Sequence, residues 1–293
     1  MTVRERVPGR LTRTSGGEIF VRECGQGAPA VFVHGLGGNS SNWTDLMWLL
    51  SDRLHAVAPD LPGFGRSGPA PSGDYGPRAQ AVVLADLIRQ RFAEPVHLFG
   101  NSMGGAISVQ LAAREPELIR SMTLVSPALP DLLPMRTSIH LPVLAMPGVG
   151  ARLAARIAKL PVEQRVRATL DLVYADPTCV PPQRVAEAQE DARSLEAKPW
   201  VGQAFQSALR GVLATYLDRG PEAPWKLAER INVPVLLVYG QQDKLVNQRA
   251  ARRASRHFLH SRIMVLPHAG HVSQMEHPEP VQRAWRNLVE PFA

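Results

Sequence analysis

The chain has 293 residues, 45% of them hydrophobic, which suffices for one large core and a smaller insertion. Its net charge is +7 with a pI near 10, yet the excess is spread along the chain as 29 Arg and 4 Lys. No basic cluster or aromatic interleaving accompanies it, which excludes a nucleic-acid partner and leaves solvated faces as the main reading, with anionic lipid or an anionic substrate as lesser ones.

Ile19–Glu23 reads as a strand, and Ala30–Val33 as a second, short and apolar like a buried parallel strand. The latter runs into His34-Gly35-Leu36-Gly37-Gly38. A helix is predicted over Ser41–Leu50 with Ser41 as its cap. A strand follows at Leu54–Ala58 and ends in the glycine-rich Asp60-Leu61-Pro62-Gly63-Phe64-Gly65-Arg66-Ser67. Arg78–Phe92 carries helical periodicity in Val82, Val83, Leu87 and Ile88. Strand Val96–Phe99, helix Met103–Arg114 and strand Met122–Val125 complete an alternation that implies a parallel sheet covered on both faces. From Pro127 to about Arg230 prolines recur between amphipathic segments, roughly 149–160, 162–174, 183–196 and 200–218, with no buried strand. Met135, Leu141, Met146, Trp200 and Phe205 are available there to line a pocket. Strands return at Val233–Tyr239 and Ile263–Leu266, with helices over 247–258 and 279–290. The expected division is a core of residues 1–128 and 231–293 and a helical cap of residues 129–230.

Gly100-Asn101-Ser102-Met103-Gly104 lies between a predicted strand and a predicted helix. A serine at such a turn is pushed outward, and Gly100 and Gly104 leave room where larger side chains would clash. The turn also puts Ser102 at a helix N-terminus, where unpaired N–H groups and the dipole favour negative charge. Asp243 and His271 also stand just past predicted strand ends, and in an open parallel sheet ligands bind at the carboxyl ends of the strands. A serine hydroxyl needs a base, histidine suits that role near neutral pH, and a carboxylate behind the imidazole fixes its tautomer. Asp131 is the rival for the acid, and His268, His277, His257 and His260 for the base. Cys24 and Cys179 form neither a metal spacing nor a disulfide framework. No metal and no cofactor are expected.

The chain resembles the α/β-hydrolase fold superfamily with a helical cap. The resemblance rests on the His34–Gly38 turn, the Asp60–Ser67 loop, the Gly100–Gly105 elbow, Gly240-Gln241-Gln242-Asp243 and Gly270-His271, in that order. It implies an α/β fold with a mostly parallel central sheet flanked by helices, and Ser102, Asp243 and His271 as catalytic residues. The backbone N–H groups of Leu36 and Met103 would form the oxyanion hole, supported by His34, Gly35, Gly37, Gly100 and Gly104. Serine rather than aspartate at the elbow favours acyl chemistry, so cleavage of carboxylic esters of small to medium hydrophobic substrates is the expected activity. The Asn101–Gly105 string is also similar to the elbow of meta-cleavage product hydrolases, which break carbon–carbon bonds. Against that alternative, the His34–Gly37 loop has fewer glycines than theirs, and Val272 stands where they commonly carry tryptophan. A catalytically silent binding protein on the same scaffold is the reading from another class. The expected partner is a small hydrophobic ester, with no stable membrane insertion and a monomeric or homodimeric state. The N-terminal Met1–Arg6 lacks an apolar signal core and no run approaches 18 apolar residues, so a cytoplasmic location is expected.

Overall fold

A computed structural model describes residues 4–131 and 140–289. Eight strands form one sheet: β1 (Gly9–Thr14), β2 (Gly17–Cys24), β3 (Ala28–Val33), β4 (Leu54–Pro59), β5 (Val96–Asn101), β6 (Ile119–Val125), β7 (Val235–Gly240) and β8 (Ser261–Leu266). Their order is β1-β2-β4-β3-β5-β6-β7-β8. The β1–β2 and β2–β4 pairs are antiparallel and all the others parallel, so the α/β expectation of a mostly parallel sheet holds. β1 was not expected. It is the sheet's outer strand, and its residues Gly9–Thr14 are mostly exposed with Leu11 as the one large apolar side chain, so it carries no apolar alternation.

Helices cover both faces. α1 (Thr44–Leu50) and α12 (Pro278–Val289) lie on one side with Trp43, Met47 and Trp285 against Phe32, Phe99 and Val238. α2 (Pro77–Arg91) and α3 (Met103–Arg114) lie on the other, over Val31, Val33, Leu98 and Leu124. Successive β3 residues thus feed opposite cores, Val31 and Val33 into one and Ala30 and Phe32 into the other, the period-2 consequence of a strand buried on both faces. The helix expected to start at Ser41 begins instead as a 3-10 turn over Ser40–Trp43. Its cap is Asn39, whose side chain accepts the Ser41 N–H. Asn39 satisfies an otherwise orphaned donor and caps the helix ahead of the expected Ser41.

Between β6 and β7 the described residues hold no strand. They form α4 (His140–Ala145), α5 (Val149–Ala158), α6 (Val162–Val173), α7 (Pro182–Glu196), α8 (Val201–Leu217) and α9 (Pro224–Ala228). α6 and α7 share a small core of Val162, Val166, Leu170 and Val180. α8 and α9 are tied to the sheet: Ala204, Ala208, Trp225 and Leu227 belong to the core beneath α2 and α3. α10 (Ala250–His257) and the single turn α11 (Ser273–Glu276) complete the chain.

Candidate active site

Ser102 joins β5 to α3 with φ 54° and ψ −115°, a conformation that costs an L-residue about 1–3 kcal/mol and persists only where its surroundings enforce it. They do so through four backbone bonds. Its N–H donates to Val125 O at 3.0 Å, and its carbonyl accepts from Gly105, Ala106 and Ala128 at 2.9, 3.2 and 2.9 Å. Gly104 makes the turn possible. A Cβ there would lie 2.2 Å from the Val33 carbonyl oxygen, so α3 can start this close to β3 only without a side chain. Gly100 is held as tightly, with a Cβ falling 2.5 Å from Ser108 Oγ.

The loop after β3 lies directly against this turn. A Cβ on Gly35 would sit 3.2 Å from Ser102 Cβ and 3.1 Å from Asn101 Oδ1. Gly37 takes φ +73°, and the 35–38 turn closes with Gly38 N donating to Gly35 O at 3.1 Å. Phe205 of α8 packs its ring edge on Gly37. Neither Leu36 N–H nor Met103 N–H donates to an acceptor among the described residues. His34 is fully buried and holds this loop. Its Nε2 accepts the Leu61 N–H at 3.0 Å, which leaves Nδ1 to donate to Gly35 O at 2.8 Å. Burial pushes its pKa down, against the pull of Asp60, so it is a neutral strut with both nitrogens committed. Asp60 organises the next loop, accepting Ser40 N–H and Arg66 N–H at 2.7 Å each.

Asp243 follows β7 and His271 follows β8, and both are buried. His271 Nδ1 lies 2.9 and 3.1 Å from the two Asp243 carboxylate oxygens. Asp243 Oδ1 also accepts the N–H groups of Leu245 and Val246 at 2.8 and 3.0 Å. Burial alone would raise the Asp243 pKa, but the adjoining imidazole and these donors outweigh it and hold the carboxyl below its ordinary value. The elbow and the histidine loop are joined through Asn101, whose Nδ2 donates to His271 O at 3.0 Å and to Val125 O at 3.1 Å. The structure thus brings Asp243 and His271 into direct contact and sets the Ser102 turn against them, without a hydrogen bond between Ser102 Oγ and the imidazole. The rival base His257 pairs instead with Glu229 at 2.8 Å and stacks on Trp225.

Glu276 escaped the sequence reading, and Asn101 entered it only as part of the elbow, without this linking role. Glu276 accepts Gly270 N–H at 2.7 Å through one oxygen and Ala175 N–H at 2.8 Å through the other. It pins the residue before His271 to the end of α6, and the His271 N–H donates to Val173 O at 2.7 Å beside it. A lone glutamate in a short helical turn carries no motif. Of the pocket residues expected from the insertion, Phe205 packs against Gly37, Met146 is exposed, and Met135 lies outside the described residues. Met146 faces out from the turn between α4 and α5. A cavity of about 20 Å³ lies between α7 and the Asp60 loop, lined by Arg22, Asp60, Arg66 and Asp191. None of Ser102, Asp243 and His271 lines it. Among the described residues no cluster of His, Cys, Asp and Glu could hold a metal.

A family model described as alpha/beta hydrolase fold matches residues 29–278. Lipase 1 of Psychrobacter immobilis is 27% identical over 289 residues, covering 96% of this chain and 84% of the lipase. Among solved structures, a thermophilic esterase from Thermogutta terrifontis superposes with a TM-score of 0.74 at 23% identity, covering 97% of this chain and 98% of the esterase. A meta-cleavage product hydrolase from Pseudomonas fluorescens gives 0.78 at 19% identity, with 97% and 98% covered.

Proposed function

The chain belongs to the alpha/beta hydrolase fold family, and from that membership we propose that it is a serine hydrolase of carboxylic esters working through an acyl-enzyme on Ser102. Lipase-named relatives and the shared fold support a hydrolase. The observation that carries the finer reading is the buried Asp243–His271 pair, tied through Asn101 to a strained serine turn with two unengaged amide donors beside it.

In the first half-reaction Ser102 Oγ attacks the ester carbonyl carbon. Its proton passes to His271 Nε2, and the carbonyl oxygen takes up negative charge facing the N–H groups of Leu36 and Met103. Losing one such donor costs about 3 kcal/mol of transition-state stabilisation. Asp243 accepts from Nδ1–H, which leaves Nε2 free to take the proton, and it stabilises the imidazolium. The tetrahedral intermediate collapses with cleavage of the acyl C–O bond, and His271 returns the proton to the leaving alcohol. Water then attacks the acyl carbon with His271 as base, which frees the acid and restores Ser102. Residues 129–230 act as the cap. Phe205 meets the oxyanion loop there, and the apolar side chains of the cap favour a hydrophobic acyl or alcohol group.

The test is a rate profile over p-nitrophenyl esters of increasing acyl length, run beside a dienoate dione, together with labelling by a fluorophosphonate. Wild-type protein should label at Ser102 and turn over esters but not the dione. Ser102→Ala should abolish labelling and reduce turnover by about 10⁶-fold while keeping the fold. Dione cleavage in preference to esters would assign the carbon–carbon reaction instead. Folded protein that neither labels nor turns over would leave a binding protein.

A further inference from the structure

The cap carries a face that its own packing does not use. In α5, Val149, Leu153 and Ile157 recur at i, i+4 and i+8, and Leu160 follows one turn on. All four are between 36 and 46% exposed. At about 100° per residue the three helical positions span an arc of about 80°. Arg152 and Arg156 fall in the adjoining arc, Lys159 caps the helix just beyond them, and none of the three forms an ion pair among the described residues. α5 packs on the molecule through Gly150, whose Cβ position is filled by the Leu144 carbonyl, and through Ala154. The apolar stripe and its basic flank are therefore both turned outward.

We propose that this face is a docking surface for an anionic lipid bilayer, on which α5 lies in the plane of the headgroups. The charge pattern selects that occupant. Residues 140–162 contain three Arg and Lys and not one Asp or Glu, whereas elsewhere both signs mix in pairs such as Arg6–Asp191, Arg184–Asp45 and Arg193–Glu163. A second copy would have to bury three cations against a surface of this same basic chain. A bilayer takes the apolar stripe into the acyl boundary and pairs the cations with lipid phosphates while their aliphatic stems snorkel. A helix of 10 residues is about 15 Å long, enough to lie in the interface and far too short to span it. Among the described residues no helix is long and apolar enough to cross a membrane. Docking would set the cap against the phase in which hydrophobic esters dissolve, but the inference does not rest on the reaction at Ser102.

The experiment is flotation of the full-length protein with vesicles of phosphatidylcholine alone and with a quarter phosphatidylglycerol, at low and high salt. Binding is expected to the anionic vesicles only and should fall when salt screens it. Each surface cation contributes about fivefold in partitioning, so the R152A/R156A/K159A variant should lose about a hundredfold. L153S/I157S should lose about tenfold or more, because binding scales with buried apolar area. Both variants should hydrolyse a soluble short-chain ester at the wild-type rate, so loss of docking is read separately from loss of catalysis. Three results would overturn the proposal: no binding to anionic vesicles, equal binding by the α5 variants, or loss of binding by R249A/R252A/R256A on α10 instead. A wild-type dimer in sedimentation that L153S/I157S dissociates would assign the face to a second copy.

Discussion

Asp243 shows how a side chain's two oxygens fix a third group's proton. Oδ1 is held by the N–H groups of Leu245 and Val246, and Oδ2 is the closer oxygen to His271 Nδ1. In Asp243→Asn the carbonyl oxygen must stay on those two amide donors, so the new NH₂ faces Nδ1. The imidazole is then driven to the Nε2–H tautomer, which cannot take a proton from Ser102. We expect a loss of about 10⁴ in kcat/KM with little change in ester KM, checked by steady-state kinetics. An unchanged rate would move the orienting carboxylate elsewhere, with Asp131 the first place to look. The same substitution has a pH signature in stability. The Asp243 carboxyl is held below its ordinary value in the folded state. Its contribution is therefore present above the unfolded pKa of about 3.9 and is lost as pH falls through the lower folded one. The stability gap between wild type and Asp243→Asn should be constant above about pH 5 and close in stronger acid.

α11 is a single turn, yet it joins the insertion to the histidine loop. Glu276 takes Gly270 N–H and Ala175 N–H on separate oxygens, and Glu276→Ala would orphan both donors. Each orphaned buried N–H costs about 1–3 kcal/mol. Glu276 is only partly buried, so the lower end applies and a loss of about 2 kcal/mol is expected in urea unfolding. Glu276→Gln keeps one acceptor and should recover about half. If Ala and Gln behaved alike, Glu276 would not be the link between Gly270 and α6. What the sequence discloses also divides at this scale. β3, β5 and β7 were legible because apolar runs such as Val235–Tyr239 bury on both faces; Ser102 and Asp243 were singled out because each follows such a run, and His271 because it follows the outer, half-exposed β8. β1 was not, since Gly9–Thr14, with Leu11 as its one large apolar residue, is an outer strand whose partner, not its composition, makes it a strand. α9 and α11 are too short for helical periodicity to register. The bonds of Asn101 and Glu276 join segments 170 and 101 residues apart, which local pattern cannot disclose.

Across the whole molecule two neutral histidines lie under the site. His34 follows β3, and His97 lies within β5, the strand that delivers Ser102. His97 is buried, bonds Ser121 Oγ through Nδ1 at 2.7 Å and meets the Trp285 ring edge-on. Burial, reinforced by Arg120, pushes its pKa down to about 4, and burial lowers His34 in the same direction. An unfolded histidine titrates near 6.5. Between that value and the folded one, only the unfolded chain binds the proton, so stability must fall as pH drops. For His97 the window is about 6.5 to 4, worth about 1.4 kcal/mol per pH unit and about 3 kcal/mol in all. Asp243 loses its contribution only in stronger acid, so the two windows are separable. The acid sensitivity of the fold should therefore begin near pH 6.5, well above the carboxylate range. Urea unfolding of wild type should show about 2 kcal/mol lost through His97 between pH 7.5 and pH 5, in addition to the share of His34. His97→Gln keeps a polar partner for Ser121 and has no titration. It should be less stable than wild type at pH 7.5 and close that gap by about 2 kcal/mol at pH 5. Parallel pH profiles for the two proteins would mean that His97 is protonated in the folded sheet, and the acid lability would then have to come from His34 alone.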